Sequence, residues 1–269
     1  MSNTLRLMCV LAHPDDETLG TGSILAKYAV EGVETYLVTA TRGERGWWGA
    51  AGDNPGLEGL GRLREAELMA AAAVLGLREV RFLDYIDGDL DQAPPGEAIA
   101  RIAGHLRRVR PQVVVTFGPD GSYGHPDHIA ISQFTTAAVV CAADPGFAAP
   151  GGGAPHRVAK LYYMAEARSL LEAFPDIFAG LKIEVDGVVR HGMVWEDWAV
   201  TTRVDARPHW ATVMRAVKCH ASQMPTLPGL FDMPDDQLAG LLSDQGYYRA
   251  MSTVNGGRAV ETDLFEGLQ

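Results

Sequence analysis

Apolar residues come along this chain in short runs, separated by stretches in which they recur at helical spacing. Leu5–Leu11 is almost wholly apolar, as a strand covered on both faces of a parallel sheet requires. It meets His13-Pro14-Asp15-Asp16-Glu17 without a spacer, and the pattern predicts a helix from about Pro14 to Glu31, with Leu19, Ser23, Ala26 and Val30 on its inner face and Gly32 as its stop. Glu34–Ala40 reads as the second strand. A helix over Leu60–Leu75 carries Leu60, Leu63, Ala66, Ala70 and Val74 as its stripe and ends at Gly76. Val80–Leu83 is the third strand, and Pro94-Pro95-Gly96 opens a helix whose Ile99, Ile102, Leu106 and Val109 align. Val113–Phe117 is the fourth strand. A helix over 128–141 follows, with Ile131, Phe134, Ala138 and Cys141 inward.

This alternation predicts a Rossmann-like α/β fold: an open, mainly parallel sheet with helices on both faces. In the strand order 3-2-1-4, the carboxyl ends of the first and fourth strands flank the switch point where ligands bind. The two His-Pro-Asp turns, at 13–15 and 125–127, follow those two strands and are therefore expected to meet.

Beyond residue 143 the pattern weakens. Asp144–His156 is rich in proline and glycine, Lys160–Met164, Lys182–Val185 and Trp198–Val204 have strand character, and Trp210, Val213, Met214 and Val217 mark a helix ending near His220. The last thirty residues show no readable pattern. We read 1–269 as one domain, with 1–142 as the core that carries the site and 143–269 completing the fold and the substrate pocket. Gly43–Gly59 is a long glycine-rich connection of the kind used as a binding loop or lid. Its Trp47 and Trp48 are read as plugs against the body or an oligomer contact, with stacking on a sugar ring as the alternative.

The length of 269 residues allows a sizeable core, and 47% hydrophobic with 21% charged residues is the balance of a soluble globular protein. The net charge of −11 comes without any Lys/Arg cluster, which argues against a nucleic-acid partner. Three scattered cysteines without a C-x-x-C pair read as buried reduced thiols. The first apolar run is too short for a signal peptide and no stretch is long enough to span a membrane, so a cytoplasmic protein is expected. Whether it forms a homo-oligomer is left open.

The chemistry lies in the two turns. His13 and Asp16 are three residues apart across a helix start, and so are His125 and His128. A catalytic zinc takes three protein ligands and leaves a position for water. The cluster offers more donors than that, so a carboxylate and an imidazole remain for water activation and oxyanion stabilisation. Capping a helix would account for one of the acids Asp15, Asp16 and Glu17, not for three. There is no G-x-S-x-G elbow and no complete dinucleotide fingerprint. Two histidines and a carboxylate also hold iron in oxygenases, where an all-β sequence would be expected.

AHPDDE at 12–17 with HPDH at 125–128 resembles the LmbE-like, or PIG-L, family of zinc-dependent N-acetylglucosamine deacetylases. The likeness extends through TRGERG at 41–46, Arg64-x-x-Glu67-Leu68, Leu75-Gly76 and Tyr123-Gly124, and His220-Ala221-Ser222-Gln223 resembles a further short motif. It is dense over about 5–140 and thin afterwards. The resemblance implies that His13, Asp16 and His128 bind zinc, iron(II) being the alternative metal. It implies Asp15 as general base and then acid, and His125, oriented by Asp127, as oxyanion stabiliser. Tyr123, by likeness to the mycothiol-pathway deacetylase, would polarise the amide. Arg64, Asp87 and His220 would contact substrate, with a surface salt bridge to Glu65 or Glu67 as the plainer reading of Arg64 and a structural role as that of His220. The implied activity is removal of the N-acetyl group from a GlcNAc-containing small molecule by water activated on the metal. Hydrolysis of another sugar-linked amide, such as a thiol S-conjugate, is the alternative, and a sugar-binding module without catalysis is the non-enzymatic one.

Overall fold

A computed structural model describes residues 4–268 apart from 228, 255 and 258. Strand β1 (Arg6–Leu11) lies between β2 (Glu34–Thr39) and β4 (Val113–Thr116), with β3 (Glu79–Phe82) outside β2 and β5 (Lys160–Met164) outside β4, all parallel. The expected order 3-2-1-4 is therefore present. Leu7 through Leu11 are fully buried, as befits a central strand covered on both faces. The helices pack in two groups, α2 (Gly22–Val30) with α3 (Gly56–Leu75) and the helix Trp210–Val217, and α4 (Pro95–Val109) with α6 (Pro126–Ala143).

Two expected helical faces are corrected. The helix expected from Pro14 to Glu31 is broken into α1 (Asp16–Leu19) and α2. At the break, a Cβ on Gly20 would lie 2.9 Å from both the Asp16 carbonyl and the Met164 sulfur. Ile24, Leu25 and Tyr28 face the core, while Leu19 and Val30 are exposed. In α3 the buried side is Leu60, Arg64, Glu67, Leu68, Ala71, Ala72 and Leu75, and Leu63 points out. Two charged residues lie on the inner face because that face looks at the site, so an apolar stripe drawn by period alone falls off register.

The C-terminal part extends the same sheet. β9 (Asp244–Ser252), unread in the sequence, runs antiparallel beside β5, and β8 (Thr202–Asp205) runs antiparallel beside β9. Buried Glu261 accepts from Lys160, Tyr162 and Thr202 and pairs with Arg249, tying the tail to three strands. β6 (Lys182–Val185) and β7 (Val188–His191) form a separate ribbon. It leans on the turn α5 (Gly121–Gly124), where Arg190 donates to the Gly124 carbonyl at 2.8 Å and Met193 N–H to the Ser122 carbonyl at 2.7 Å. Cys9 is buried, Cys141 and Cys219 are half-buried, and all three are free thiols. Among the described residues no helix is long and apolar enough to cross a membrane.

Candidate metal centre

Asp16 folds back over the end of β1, accepting the backbone N–H groups of Ala12 at 3.1 Å and His13 at 2.8 Å. Between them Asp15 adopts φ 105°, a costly conformation for a residue with a Cβ. Its backbone N–H donates to Glu17 Oε2 at 2.9 Å. At the second turn His125 caps α6, its Nδ1 accepting Asp127 N–H at 3.2 Å, and Pro126 takes the first helical position. His128 follows one turn later, stacked on Phe117 with ring centroids 3.8 Å apart.

The two turns meet. His13 Nδ1 lies 3.2 Å from His128 Nε2, and Asp16 is 3.8 Å from the first through Oδ2 and 3.6 Å from the second through Oδ1. Ligand atoms about 2.0–2.1 Å from a tetrahedral zinc sit roughly 3.3 Å apart, so the two nitrogens have the spacing of ligands on one ion, and the Asp16 carboxylate, reaching each through a different oxygen, completes a triangle of side chains with them. His125 stands alongside, its ring 4.7 Å from His128 and 4.8 Å from His13, and nitrogens of all three histidines come within 4.8 Å of one another. A second grouping of the same reach, His13 with Asp87 and Asp127, uses the opposite nitrogen. His13 Nε2 is 3.0 Å from Asp127 Oδ2 and 3.2 Å from Asp87 Oδ1. Asp127 also accepts the N–H groups of Gly88 and Leu90. Carboxylates on the far nitrogen of a histidine hold its proton there and turn the near lone pair toward a metal. We therefore read the first grouping, closed by Asp16, as the metal side and the second as its support.

Burial disfavours charge on His13, yet its bonds to Asp127 and Asp87 and the nearby Asp16 carry it well above the ordinary histidine value. Burial and the charge on His13 hold His128 well below that value and His125 at about 4. Neutral His125, accepting at Nδ1, keeps its proton on Nε2 and is a hydrogen-bond donor. Burial raises Asp15, with Arg64 opposing, and pushes Asp16 up to about 7, with His13 opposing. A divalent cation in the triangle would reverse that shift on Asp16.

Several expected contacts are corrected. The Asp127 carboxylate is bonded to His13, and only its backbone N–H orients His125. Asp87 is likewise turned to His13, and its Oδ2 accepts Arg45 N–H at 3.1 Å. Arg64 is neither on the surface nor paired with Glu65 or Glu67. It is 3% exposed and donates to the Gly43 carbonyl at 2.9 Å, the Pro14 carbonyl at 2.5 Å and Asp15 Oδ2 at 3.1 Å. His220 is buried with Nε2 2.6 Å from Glu17 Oε1. Tyr123 stands edge-on to His125 at 5.8 Å and His128 at 5.3 Å. In the Gly43–Gly59 loop the Trp47 indole donates to its own loop at Ala50 and Trp48 is exposed.

Residues of the quoted motifs to which the sequence reading gave no role hold this arrangement. Glu67 accepts Ser222 through both N–H and hydroxyl, Gln223 donates to the Gly46 carbonyl, and Glu44 accepts Asp87 N–H. The segment 220–223 thus clamps α1, α3 and the loop after β2. The sequence signals for it were the likeness of His220-Ala221-Ser222-Gln223 to a short family motif, the adjacency of Glu17 to the first turn and that of Glu67 to Arg64, none of which gave the partners.

The model of the family PIG-L, described as GlcNAc-PI de-N-acetylase, matches residues 8–139. A 1D-myo-inositol 2-acetamido-2-deoxy-α-D-glucopyranoside deacetylase from Thermobifida fusca is 38% identical over 295 residues, covering 98% of this chain and 99% of that protein. The chain belongs to the PIG-L family of de-N-acetylases. A deacetylase of the same description from Thermobispora bispora is 34% identical over 308 residues, with 98% of each chain covered. Among solved structures, protein TT1542 from Thermus thermophilus superposes with a TM-score of 0.65 at 26% identity, over 94% of this chain and 98% of that one. The N,N'-diacetylchitobiose deacetylase from Pyrococcus horikoshii does so with a TM-score of 0.66 at 19% identity, over 92% and 84%, a likeness of fold. As a PIG-L protein the chain is an amide hydrolase, and the two His-Pro-Asp turns fall inside the matched region.

Proposed function

We propose that this PIG-L protein removes the N-acetyl group from a GlcNAc-containing small molecule, with a GlcNAc–inositol conjugate as the first candidate, and that it does so with zinc held by His13, Asp16 and His128. The observation that carries this is the approach of His13 Nδ1 to His128 Nε2 at 3.2 Å, with the Asp16 carboxylate 3.8 Å from the first through Oδ2 and 3.6 Å from the second through Oδ1, beside an aspartate, Asp15, that is not part of the group. The donor set fits the group: two imidazoles and a carboxylate, one imidazole backed by carboxylates on its far nitrogen. Zinc, when bound, supplies a Lewis acid for the carbonyl and lowers the pKa of water to about 7.

The chain's own residues do the rest. Asp15, held by Arg64, takes a proton from the attacking water and returns it to the departing amine. His125 donates from Nε2, and Tyr123 from its hydroxyl, to the oxygen on which charge develops. Burial holds the Tyr123 hydroxyl well above the ordinary tyrosine value, so it remains a donor. Asp87 and Asp127 support His13, and Arg64 and His220 keep Asp15 in place from two sides.

The test is acetate release from N-acetylglucosaminyl-inositol and related conjugates by zinc-loaded protein, with metal content measured alongside. Asp15→Ala is expected to lose about 10²–10⁴ in rate while retaining zinc, and His13→Ala to lose both. Full zinc occupancy in His13→Ala, or normal turnover in Asp15→Ala, would overturn the assignment. Release of a larger acid in preference to acetate would move the substrate to another sugar-linked amide.

A further inference from the structure

The turn that carries Tyr123 is held from outside the matched region. Ser122 has φ 66° and ψ −68°, a region that residues with a Cβ avoid and that persists only when the surroundings over-determine it. Gly121 and Gly124 on either side also have positive φ, at 67° and 76°. Ser122 Oγ donates to Glu166 Oε1 at 2.5 Å, and the Ser122 carbonyl accepts Met193 N–H at 2.7 Å. Glu166 stands two residues beyond the end of β5, and its backbone carbonyl accepts Trp195 N–H at 3.0 Å. Its side chain is thus anchored at the rim of the sheet, next to the strand that flanks the site.

Resting on the proposed role of Tyr123, we propose that Glu166 is a positioning residue: through the Ser122 hydroxyl it holds the strained turn that presents the Tyr123 phenol beside His125 and His128. The carboxyl is buried, which with nearby Asp120 pushes it up to about 7, against the Ser122 bond. What Ser122 needs from it is an acceptor, which either protonation state provides. Glu166 touches none of the metal triangle, so its loss displaces the phenol and leaves the ligands where they are. Met193 N–H holds the peptide group that joins Ser122 to Tyr123 and Arg190 holds the Gly124 carbonyl, while Glu166 holds the Ser122 side chain, the third point at which the strained turn is fixed.

Two variants separate this from a merely structural role. Glu166→Ala is expected to lower kcat roughly ten- to a hundredfold with KM and zinc content unchanged, and Glu166→Gln, which keeps an acceptor oxygen, to restore most of it. Ser122→Ala should reproduce the loss and carries the test if Glu166→Ala does not fold. The deciding measurement is the cycle with Tyr123→Phe. Once the hydroxyl is gone, removing Glu166 or the Ser122 hydroxyl should cost no further kcat. Losses that multiply, a Gln variant as impaired as Ala, or unchanged kcat in both Glu166→Ala and Ser122→Ala would overturn the inference while leaving the zinc site standing. Unchanged kcat in Tyr123→Phe would instead remove Tyr123 from the mechanism, and the inference with it.

Discussion

Nε2 of His220 lies 2.6 Å from Oε1 of Glu17, 203 residues away, and the other oxygen of that carboxylate accepts the backbone N–H of Asp15 at 2.9 Å. A C-terminal residue thus braces the left-handed turn at the first motif through a pair that is almost fully buried. Burial opposes charge on His220, but Glu17, by charge and by hydrogen bond, raises it above the ordinary histidine value. A histidine raised in the folded state stabilises in full below its unfolded value of about 6.5, and that contribution disappears as pH rises through the folded value. His220→Ala, which leaves a buried carboxylate without its partner, should cost about 3–5 kcal/mol. Urea unfolding across pH should show the gap to wild type widest below about pH 6.5 and narrower in alkali. A gap that widens with pH would contradict the pair.

Asp127→Asn tests which histidine that carboxylate serves. Its bonds run to His13 Nε2 and to two backbone N–H groups. Loss of such a support typically costs 10–100-fold in metal affinity, as an order of magnitude. Chelator competition should therefore show weaker zinc binding, with a smaller change in kcat once the protein is saturated. The reverse result, with affinity unchanged and kcat reduced, would return Asp127 to His125.

Arg64→Gln should move the acid limb of the kcat/KM profile. Burial raises Asp15 and the Arg64 guanidinium lowers it. Without the cation Asp15 rises further, so the base is lost at a higher pH, with the limb displaced upward by about one unit or more. A pH–rate profile whose acid limb stays in place would separate that limb from Asp15.

Gly43→Ala should reproduce part of the Arg64 phenotype from a distance. Gly43 has φ 67°, and a Cβ there would come within 2.1 Å of Arg64 Nη1. Both the backbone strain and the displaced guanidinium count against it, so a loss of at least about 1 kcal/mol in unfolding free energy is expected, with a fall in kcat/KM. An alanine variant with wild-type stability and activity would show that Arg64 has another place to go.

The parallel core was legible because a fully covered strand is apolar along its length. Leu5–Leu11 runs almost directly into the first His-Pro-Asp turn, Val113–Phe117 is followed by the second after a short glycine-rich loop, and an order of 3-2-1-4 brings those ends together. The inner face of α3 was not legible, since Arg64 and Glu67 are buried there and a polar residue aimed into a site has the same pattern as one aimed into water. Nor was β9, whose alternation is broken by polar and glycine residues and whose partners lie far back in the chain.

Local order along the chain was enough to establish the strand succession and the two chemistry-bearing turns, because these follow from short periods and adjacent positions, and the expected nearness of His13 to His128 followed once a strand order of 3-2-1-4 was assumed. Which carboxylate supports which imidazole, that Arg64 closes on Asp15, and that His220 braces Glu17 were settled only by the folded chain. The physical reason is that periodicity tells a residue's side of its own element, whereas a hydrogen bond depends on which distant element is packed against that side, and at what depth.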